Sequence, residues 1–478
     1  MSNNINNKRK IYSLDHLKPE VTAVCFAKCS RSPDSFEDIA KELTEEKSSE
    51  FHEKYVVGYG HGSVAEHANL HVAVENISIL ATKVLEDNRL ASYTEKSTRY
   101  QIFDRDRYYK PKKIMESKFG PEYEKTMDYI YDTYNSLFEP MKKFLLKKYP
   151  QKPDEPDMVY NAIIKARTCD NIRYLLPCAT LTNLGMTANA RVWEHAITKL
   201  MSHPLDEMKE LGQELKDCTI QSTPTLVKYA NPNDYLINTI STLENLSQKI
   251  LTKKPKSVSP VTIVRYDKNA ENHLVASLLY RGSNLPYQQI LKSVKKMDQQ
   301  QKEQIIDETL KNKTSHDIPL RELEHIYYTF DILMDYGAFR DIQRHRMVTQ
   351  TNQDVTIDHG YEIPEEIKEA NLLEPYLKVI KKAKKLYQTI YPYFPKEVQY
   401  IVPLAFRKRV LFTWNLRELH HFIPLRSSPK GHISYRHIAQ ACWHELNKIH
   451  PLLAKYISVD MSEGSTSWAA TLYKQKKV

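Results

Sequence analysis

The stretch RYLLPCATLTNLGMTANARVWEH, residues 173–195, decides how this 478-residue chain is organised, because its pattern recurs further along. The second stretch is QYIVPLAFRKRVLFTWNLRELHH, residues 399–421, shifted by 226 positions (399 − 173). Both contain a proline, an Asn-x-Arg motif and a histidine at the same distances. A repeat of this length at one fixed shift indicates two copies of one folding unit.

Two earlier motif pairs extend the repeat. Glu66-His67 is matched by Glu324-His325 at a shift of 258, and Asp87-Asn88-Arg89 is matched by Arg344-His345-Arg346 at a shift of 257. The shift then falls from 257 to 226, so the first copy holds roughly 31 extra residues, around 109–156.

The copies predict two tandem domains, residues 1–240 and 259–478, joined by a polar, proline-containing linker at 241–258. Each copy combines a short alternating apolar segment with runs of apolar residues spaced three or four apart. In the second copy these runs predict helices over 332–342 and 433–456. The expected fold class is α+β, with each domain a small, mainly antiparallel sheet accompanied by long helices.

Charge and cysteine usage narrow the function classes. A net charge of +10 favours anionic partners such as nucleotide phosphates or a folate tail. The lysines are scattered and no RNA-binding aromatic run is present, so nucleic acid is not expected as a partner. The sequence contains no apolar run of about 18 residues, so no membrane span is expected. The six cysteines form no CxxC pair, which predicts no metal site, no disulfide framework and a cytoplasmic location.

Two polar motifs carry the candidate chemistry. Arg344-His345-Arg346 directly follows an apolar stretch, and its guanidiniums suit bidentate capture of a phosphate or a carbonyl-rich ring. In the first copy, hydroxyl, acidic and basic side chains alternate along residues 92–100. In an extended segment Ser97 and Arg99 would face one phosphate, while Glu95 takes a ring or ribose donor. A solvated surface strand gives the same alternation.

Together these residues resemble the flavin-dependent thymidylate synthases. That family is marked by R-H-R-x-x-S-x-x-E-x-S-x-R-Y, with an E-H pair upstream and R-x-x-x-P, N-x-R and L-R motifs downstream. This sequence carries the series divided between its copies. The first copy keeps His61, Ser63, Glu66, His67, Ser92, Glu95, Ser97, Arg99, Tyr100, Arg173, Asn189 and Arg191. The second copy keeps Arg344, His345, Arg346, Asn415, Arg417, Leu425 and Arg426.

Each copy lacks what the other keeps. The first has Asp87-Asn88 at the start of the triplet and Lys199-Leu200 in place of the late arginine; the second has Gln399 in place of the arginine before the proline. The S-x-x-E-x-S-x-R positions of the second copy are also changed, to Thr349, Asn352, Asp354 and Thr356. In the family each site lies between subunits of a homotetramer. The complementary losses therefore predict one working site per pair of copies, and a homodimer that acts as a pseudo-tetramer.

The resemblance implies reductive methylation of dUMP to dTMP, with methylenetetrahydrofolate as carbon donor, FAD as hydride carrier and NADPH as reductant. Arg426 and Arg344 would act in catalysis by stabilising a uracil ionised at N3. The substrate would also be bound by Glu95, Ser97, Arg99 and Arg173, the last three at the phosphate. The flavin would be contacted by Ser63, Glu95, Arg344, His345, Arg346, Asn415, Arg417 and His421.

Two other functions stay open. Asp341 stands where the family often has glutamine, and Lys199-Leu200 also departs from the family pattern; both favour a related flavin enzyme that alkylates a different pyrimidine nucleotide. The other alternative is a non-catalytic nucleotide- or RNA-binding protein that keeps the fold. The residues also leave open whether the two half-sites meet within one chain or between chains.

Overall fold

The computed structural model describes residues 9–251, 259–314 and 316–463. The chain divides into two compact units. The first unit comprises residues 1–75, 88–95 and 183–252; the second comprises 76–87, 96–182 and 253–478. Both units combine helices with antiparallel strands, so the α+β prediction is confirmed.

The two units cut across the two sequence copies. Residues 96–182 of the first copy belong to the second unit, together with the whole second copy. The predicted bounds 1–240 and 259–478 therefore describe the repeat and stay a prediction as domains. The predicted linker at 241–258 overlaps a helix, Asp234–Ile250, that has no buried residue. Residues 252–258 of that linker lie outside the described residues.

A three-stranded sheet lies mainly in the first unit. Its strands are β1 (Asn69–Ser78), β2 (Ala91–Glu95) and β3 (Leu181–Asn189), in the order β1-β3-β2. Strands β2 and β3 are antiparallel. Buried and more exposed residues alternate along β3, as in a strand with one face on the core. The helices of this unit are Pro19–Cys29, Phe36–Glu42, Glu45–Phe51, Ala190–Met201, Asp206–Thr219 and Asp234–Ile250, with shorter helical turns at His52–Gly58 and Val64–His67.

A four-stranded antiparallel sheet lies in the second unit. Its strands are β4 (Val261–Tyr266), β5 (Tyr327–Asp335), β6 (Val348–Asn352) and β7 (Arg407–Asn415), in the order β4-β5-β7-β6. The helices are Ile79–Leu85, Lys112–Met115, Gly120–Lys148, Asp157–Ile172, Ala270–Tyr280, Tyr287–Val294, Gln299–Leu310, Tyr336–Ile342, Glu365–Glu369, Leu373–Ile390, Leu416–Ser427, Ile433–Ile449 and Pro451–Ala454, with 3-10 turns at Arg173–Leu175, Arg321–His325 and Glu397–Ile401.

The helix predicted over 332–342 is wrong in its first part. Ile332 belongs to β5 and pairs with Val410 of β7. The helix begins only at Tyr336, because the Asp335 carboxylate accepts a hydrogen bond from the backbone N–H of Ala338 at 2.8 Å and caps the first turn. The apolar run therefore serves a strand and then a helix. The helix predicted over 433–456 is interrupted at residue 450.

The prolines of the repeat mark the place where the two copies meet within the second unit. The N–H of Cys178 donates to the carbonyl of Val402 at 2.9 Å, and the N–H of Leu404 donates to the carbonyl of Leu176 at 2.9 Å. The second bond is the first one with the copies exchanged. Such reciprocity is the mark of a two-fold contact between equivalent surfaces. The copies therefore pair about a local pseudo-two-fold axis inside one chain.

None of the helices in the described ranges combines the length and the apolar composition needed to cross a membrane.

Histidine burial in the second unit predicts loss of stability in acid. Burial lowers the pKa of His420 to about 3, below its ordinary value of 6.5. Below pH 6.5 His420 therefore binds a proton in the unfolded chain but stays neutral in the folded chain. The folded protein loses stability as the pH falls from 6.5 towards 3. Between pH 7.5 and 5.5 this one histidine should cost about 1.4 kcal/mol. The measurement is the free energy of unfolding by urea at both pH values, in the native protein and in His420→Gln.

His420→Gln is expected to shrink the difference between the two pH values by that amount. The comparison at pH 7.5 serves as the control for any direct effect of the substitution on stability. An unchanged difference between the two pH values would contradict the assignment.

Candidate active site

Four arginines surround one aspartate in the second unit. Arg99 and Arg173 come from the first copy, and Arg344 and Arg426 come from the second. Burial alone would raise the pKa of Asp341, but the charges of these four guanidiniums outweigh burial and lower it. The structure therefore brings close to Asp341, within one chain, arginines from both copies that the sequence predicts to bind substrate.

Arg173 is a buried cation in this cluster. Its side chain is 2% exposed, and its Nη1 lies 3.9 Å from a carboxylate oxygen of Asp341. Its Nε and Nη2 have no hydrogen-bond partner among the described residues. The 3-10 turn that carries it faces the helix Tyr336–Ile342, where a Cβ added to Gly337 would lie 3.5 Å from Nη2. A buried guanidinium with unused donors is costly unless an anion comes near.

Arg99 is largely engaged by the protein. Its Nε and Nη2 donate to the two oxygens of Asp170 at 2.8 and 2.9 Å, a bidentate pair. Its Nη1 donates to the Tyr435 hydroxyl at 3.2 Å and to the Lys430 carbonyl at 3.4 Å. The Ser97 hydroxyl accepts from the Arg99 backbone N–H at 3.2 Å. Most donors of Arg99 are thus used within the chain, which the sequence reading did not foresee.

The cluster carries an excess of positive charge. Burial would raise the pKa of Asp170, but the Arg99 guanidinium, the largest of several opposing charges, helps to lower it, so this carboxylate is ionised as well as Asp341. Four guanidiniums stand against these two carboxylates and Asp335, whose pKa burial raises to about 6 and on which Arg173 also acts, so about one positive charge remains at neutral pH. A phosphate monoester carries about −1.5 to −2 at neutral pH, so the positive excess suits one nucleotide phosphate.

His345 links Arg426 to Glu418. The Nε–H of Arg426 donates to Nε2 of His345 at 2.9 Å, and Nδ1 of His345 lies 2.8 Å from a carboxylate oxygen of Glu418. His345 is 5% exposed. Burial, with the charge of Arg426, lowers its pKa well below the ordinary value, so the ring is neutral. Burial also raises the pKa of Glu418 to about 7.

His345, Glu418 and His421 form a group whose ligand atoms all lie within 4.8 Å of one another. Such chemistry suits a metal ion, but both ring nitrogens of His345 are already hydrogen-bonded. Burial outweighs the charges of three nearby guanidiniums in setting the pKa of Glu418, and those same positive charges oppose a further cation. The expectation of no metal stays a prediction.

The remaining predicted flavin contacts of the second copy surround the same helix start. The Asn415 side chain caps the helix Leu416–Ser427 by accepting from the Glu418 N–H at 2.8 Å. Arg417 donates to the Pro319 carbonyl at 2.8 Å and to Glu324 at 2.6 Å. Arg344, Arg346 and His421 are exposed. Because the guanidiniums of Arg344 and Arg346 are exposed and the buried His345 ring is neutral, the described residues leave no unpaired buried charge here when no ligand is bound.

Ser63 and Glu95 belong to the first unit. Ser63 lines a cavity of about 550 Å³. The side chains around it include aromatic rings and two cations: Phe26, Lys28, Arg31, Phe51, Tyr55, His61, Ser63 and His67. Glu95 ends strand β2 and is half-buried. The lining of this cavity mixes aromatic rings with charged and polar side chains, among them Asp34 and Glu42.

Gln399 shows what replaced the arginine in the second copy. It is 6% exposed; its Oε1 accepts from the Val355 N–H at 3.0 Å and its amide donates to the Lys396 carbonyl at 3.2 Å. The side-chain amide of Gln399 is thus hydrogen-bonded to backbone groups, whereas Nε and Nη2 of the equivalent Arg173 have no partner among the described residues. This difference agrees with a site kept on one side of the pseudo-two-fold axis.

The site contains residues that sequence reasoning missed. Asp170 lies one helical turn before Arg173, and that spacing is the one signal that could have found it. Glu418 directly follows the Asn-x-Arg motif and was passed over. Tyr435 and Lys430 are brought in by tertiary packing and have no local signal.

Comparisons with known proteins identify the family of this chain. A family model described as "Thymidylate synthase complementing protein" matches residues 14–225 and 262–452. A UPF0159 protein of Chlamydia pneumoniae is 35% identical over 436 residues, which cover 87% of this chain and 82% of the relative. A flavin-dependent thymidylate synthase of Clostridium tetani is 27% identical over 218 residues, covering 45% of this chain and 83% of that protein. The two matched segments confirm the tandem repeat.

One solved structure is a flavin-dependent thymidylate synthase of Helicobacter pylori, complexed with FAD and dUMP. It is 19% identical, with a TM-score of 0.32, and covers 42% of this chain and 99% of its own.

Proposed function

Since this chain belongs to the thymidylate synthase complementing protein family, we propose that it is a FAD-dependent thymidylate synthase. It methylates dUMP to dTMP with methylenetetrahydrofolate as carbon donor and NADPH as reductant. The observation that carries the proposal is the convergence on Asp341 of arginines from both copies. A site assembled from both copies explains why each copy could lose the motif residues that the other copy keeps.

Arg173 holds the phosphate of dUMP in this proposal. Its charge is buried and its donors are not used up by protein, so an anion relieves an unfavourable burial. Ser97 and Arg99 are assigned to the same phosphate in this proposal. Because Asp170 already holds Arg99, that guanidinium contributes mainly as a fixed charge with one remaining donor.

Arg426 and Arg344 act on the pyrimidine ring. A guanidinium beside the ring stabilises negative charge that develops when uracil ionises at N3, and it is effective because it is fixed before the reaction. Arg426 is fixed by two contacts: its hydrogen bond to His345 and its position over the Tyr435 ring, 5.4 Å from the centroid. Nothing in this scheme needs a protein nucleophile.

The residues present fit FAD. Exposed Arg344 and Arg346 offer cationic donors to pyrophosphate or ring carbonyl oxygens, and the neutral His345 between them adds no charge. Asn415, Arg417 and His421 follow at the start of the adjoining helix; the assignment of Ser63 and Glu95 to the cofactor stays a prediction from the family resemblance. When bound, FAD supplies the hydride transfer.

The experiment begins with the colour and spectrum of the purified protein. A bound flavin whose absorbance is bleached by NADPH supports an enzyme and rejects a purely nucleotide-binding protein. Release of tritium from dUMP labelled at C5, dependent on methylenetetrahydrofolate, then identifies the substrate. A flavoprotein that releases no tritium would contradict the proposal.

A second candidate is the same chemistry on another pyrimidine nucleotide. It is favoured by Asp341, whose ionised carboxylate only accepts hydrogen bonds and would face a ring donor rather than a carbonyl. Tritium release from dCMP labelled at C5, measured in place of dUMP in the same assay, separates the two candidates: release from dCMP but not from dUMP supports the second.

The proposed assembly is a homodimer with one working site in each chain.

A further inference from the structure

Glu418 is the acceptor at the end of a buried hydrogen-bonded chain. The Nε–H of Arg426 donates to Nε2 of His345, so this nitrogen must carry a lone pair. The neutral ring therefore carries its proton on Nδ1, and that N–H donates to Glu418. Since an imidazole has one proton to place, the carboxylate at one end decides whether the nitrogen at the other end can accept from Arg426.

The other contacts of the ring do not choose the tautomer. The His345 ring packs edge-on against Phe422, with centroids 5.0 Å apart, and at a tilt against His421 at 5.6 Å. Such packing limits the position of the ring, but it does not distinguish Nδ1 from Nε2. Glu418 is the partner of Nδ1 in the part of the chain that the structure describes.

The first copy supplies an internal comparison. The positions equivalent to His345, Glu418 and Arg426 hold Asn88, Val192 and Leu200, so all three members of the chain are absent together. The helix start itself is kept, because Asn189 accepts from the Val192 N–H at 3.0 Å as Asn415 does from that of Glu418. The acid is therefore not needed to begin this helix.

We propose that Glu418 is a positioning residue: it fixes the tautomer of His345 and thereby orients the Arg426 guanidinium towards the substrate ring. His345 uses the Nε–H of Arg426, and the two terminal NH2 groups of that side chain remain to meet the ligand. This role rests on the proposed function, in which Arg426 stabilises the charged pyrimidine. Glu418 itself touches neither substrate nor flavin.

The test compares two substitutions that differ only in the acceptor. Glu418→Gln keeps the shape and a carbonyl oxygen that can accept from Nδ1–H, whereas Glu418→Met keeps the bulk and loses the acceptor. We expect Glu418→Met to lower kcat on the order of tenfold to a hundredfold, since Arg426 then loses its fixed direction. Its KM for dUMP should change less, because the phosphate contacts are intact. Glu418→Gln should recover most of the lost turnover.

The matched control is Val192→Gln, which places the same side chain at the equivalent position of the other copy and should leave turnover unchanged. The bound-flavin spectrum and the melting temperature monitor folding of each variant. Wild-type turnover in Glu418→Met overturns the proposal, and so does an equal loss in Glu418→Gln and Glu418→Met.

The tautomer of His345 provides a readout that does not depend on activity. In native protein labelled with ¹⁵N-histidine, the ring signals of His345 are identified by their loss in His345→Asn. We expect shifts typical of a proton on Nδ1 and none on Nε2. A proton on Nε2 overturns the positioning role even if dUMP is methylated. If dUMP is not methylated but Nδ1 is protonated, the proposed substrate fails while the hydrogen-bonded chain stands.

Discussion

Replacing Arg426 by alanine is expected to abolish methylation of dUMP while FAD stays bound. The guanidinium is fixed before the reaction by His345 and stacks over Tyr435, so it can stabilise charge on the pyrimidine without rearranging. Loss of one such preorganised donor typically costs about 100- to 1000-fold in turnover. The measurement is tritium release from dUMP, alongside the flavin absorbance of the purified variant.

The control for Arg426→Ala lies at the equivalent position of the first copy. That position is Leu200, which is fully buried, so alanine there would open a cavity and cost stability by itself. Leu200→Met conserves volume and is the better control. It should leave turnover close to that of the native protein. Equal loss of turnover in both variants, with both folded, would show that the late arginine is not specific to one half-site.

The tandem repeat was predictable because it is a matter of order and spacing. Four motif pairs keep their order, at shifts of 258, 257, 226 and 226, and no three-dimensional information is needed to see them. The complementary losses at Leu200 and Gln399 were visible for the same reason. The family resemblance brought out the arginines whose charges act on Asp341, although it did not show that they meet within a single chain.

The bounds of elements were less predictable, because one apolar run can serve two kinds of structure. The run beginning at Ile332 is continuous in sequence, yet the Asp335 cap divides it into a strand and a helix. The compact units were not predictable either. Residues 96–182 join the second copy through the reciprocal bonds around Pro177 and Pro403, which are contacts between residues more than 200 positions apart.

The partners of the site residues escaped prediction for a different reason. Asp170 is an ordinary helical residue until Arg99, 71 positions earlier in the chain, folds against it. Glu418 looks like a solvated helix acid until the His345 ring meets it. Local patterns identify residues that bind ligands by their unusual clustering, but the residues that hold them in place are of common types and are found only through tertiary contacts.

Mixing two variants that each bind dUMP weakly is expected not to restore native dUMP affinity or turnover at a low dUMP concentration, because both half-sites lie in one chain. Arg173→Gln introduces the residue that the second copy has at the equivalent position, and Arg344→Ala removes an exposed guanidinium of the triplet. Each should weaken dUMP binding about tenfold or more, since charge-assisted hydrogen bonds contribute roughly 1.5–3 kcal/mol. Since both arginines act on Asp341 in the same chain, every site of a mixed dimer still carries one lesion.

The mixed dimer is made by co-expressing the two variants with different affinity tags and purifying on both. Turnover and dUMP affinity are then compared with those of each variant dimer and of a native dimer that carries the same two tags. The expected result is no gain over the variant dimers, and one dUMP bound per chain in the native control. If the half-sites instead came from different chains, half of the sites in the mixed dimer would be intact and about half of the native turnover would return. That recovery would refute assembly of the site within one chain, because mixing cannot repair a site whose two arginines share a polypeptide.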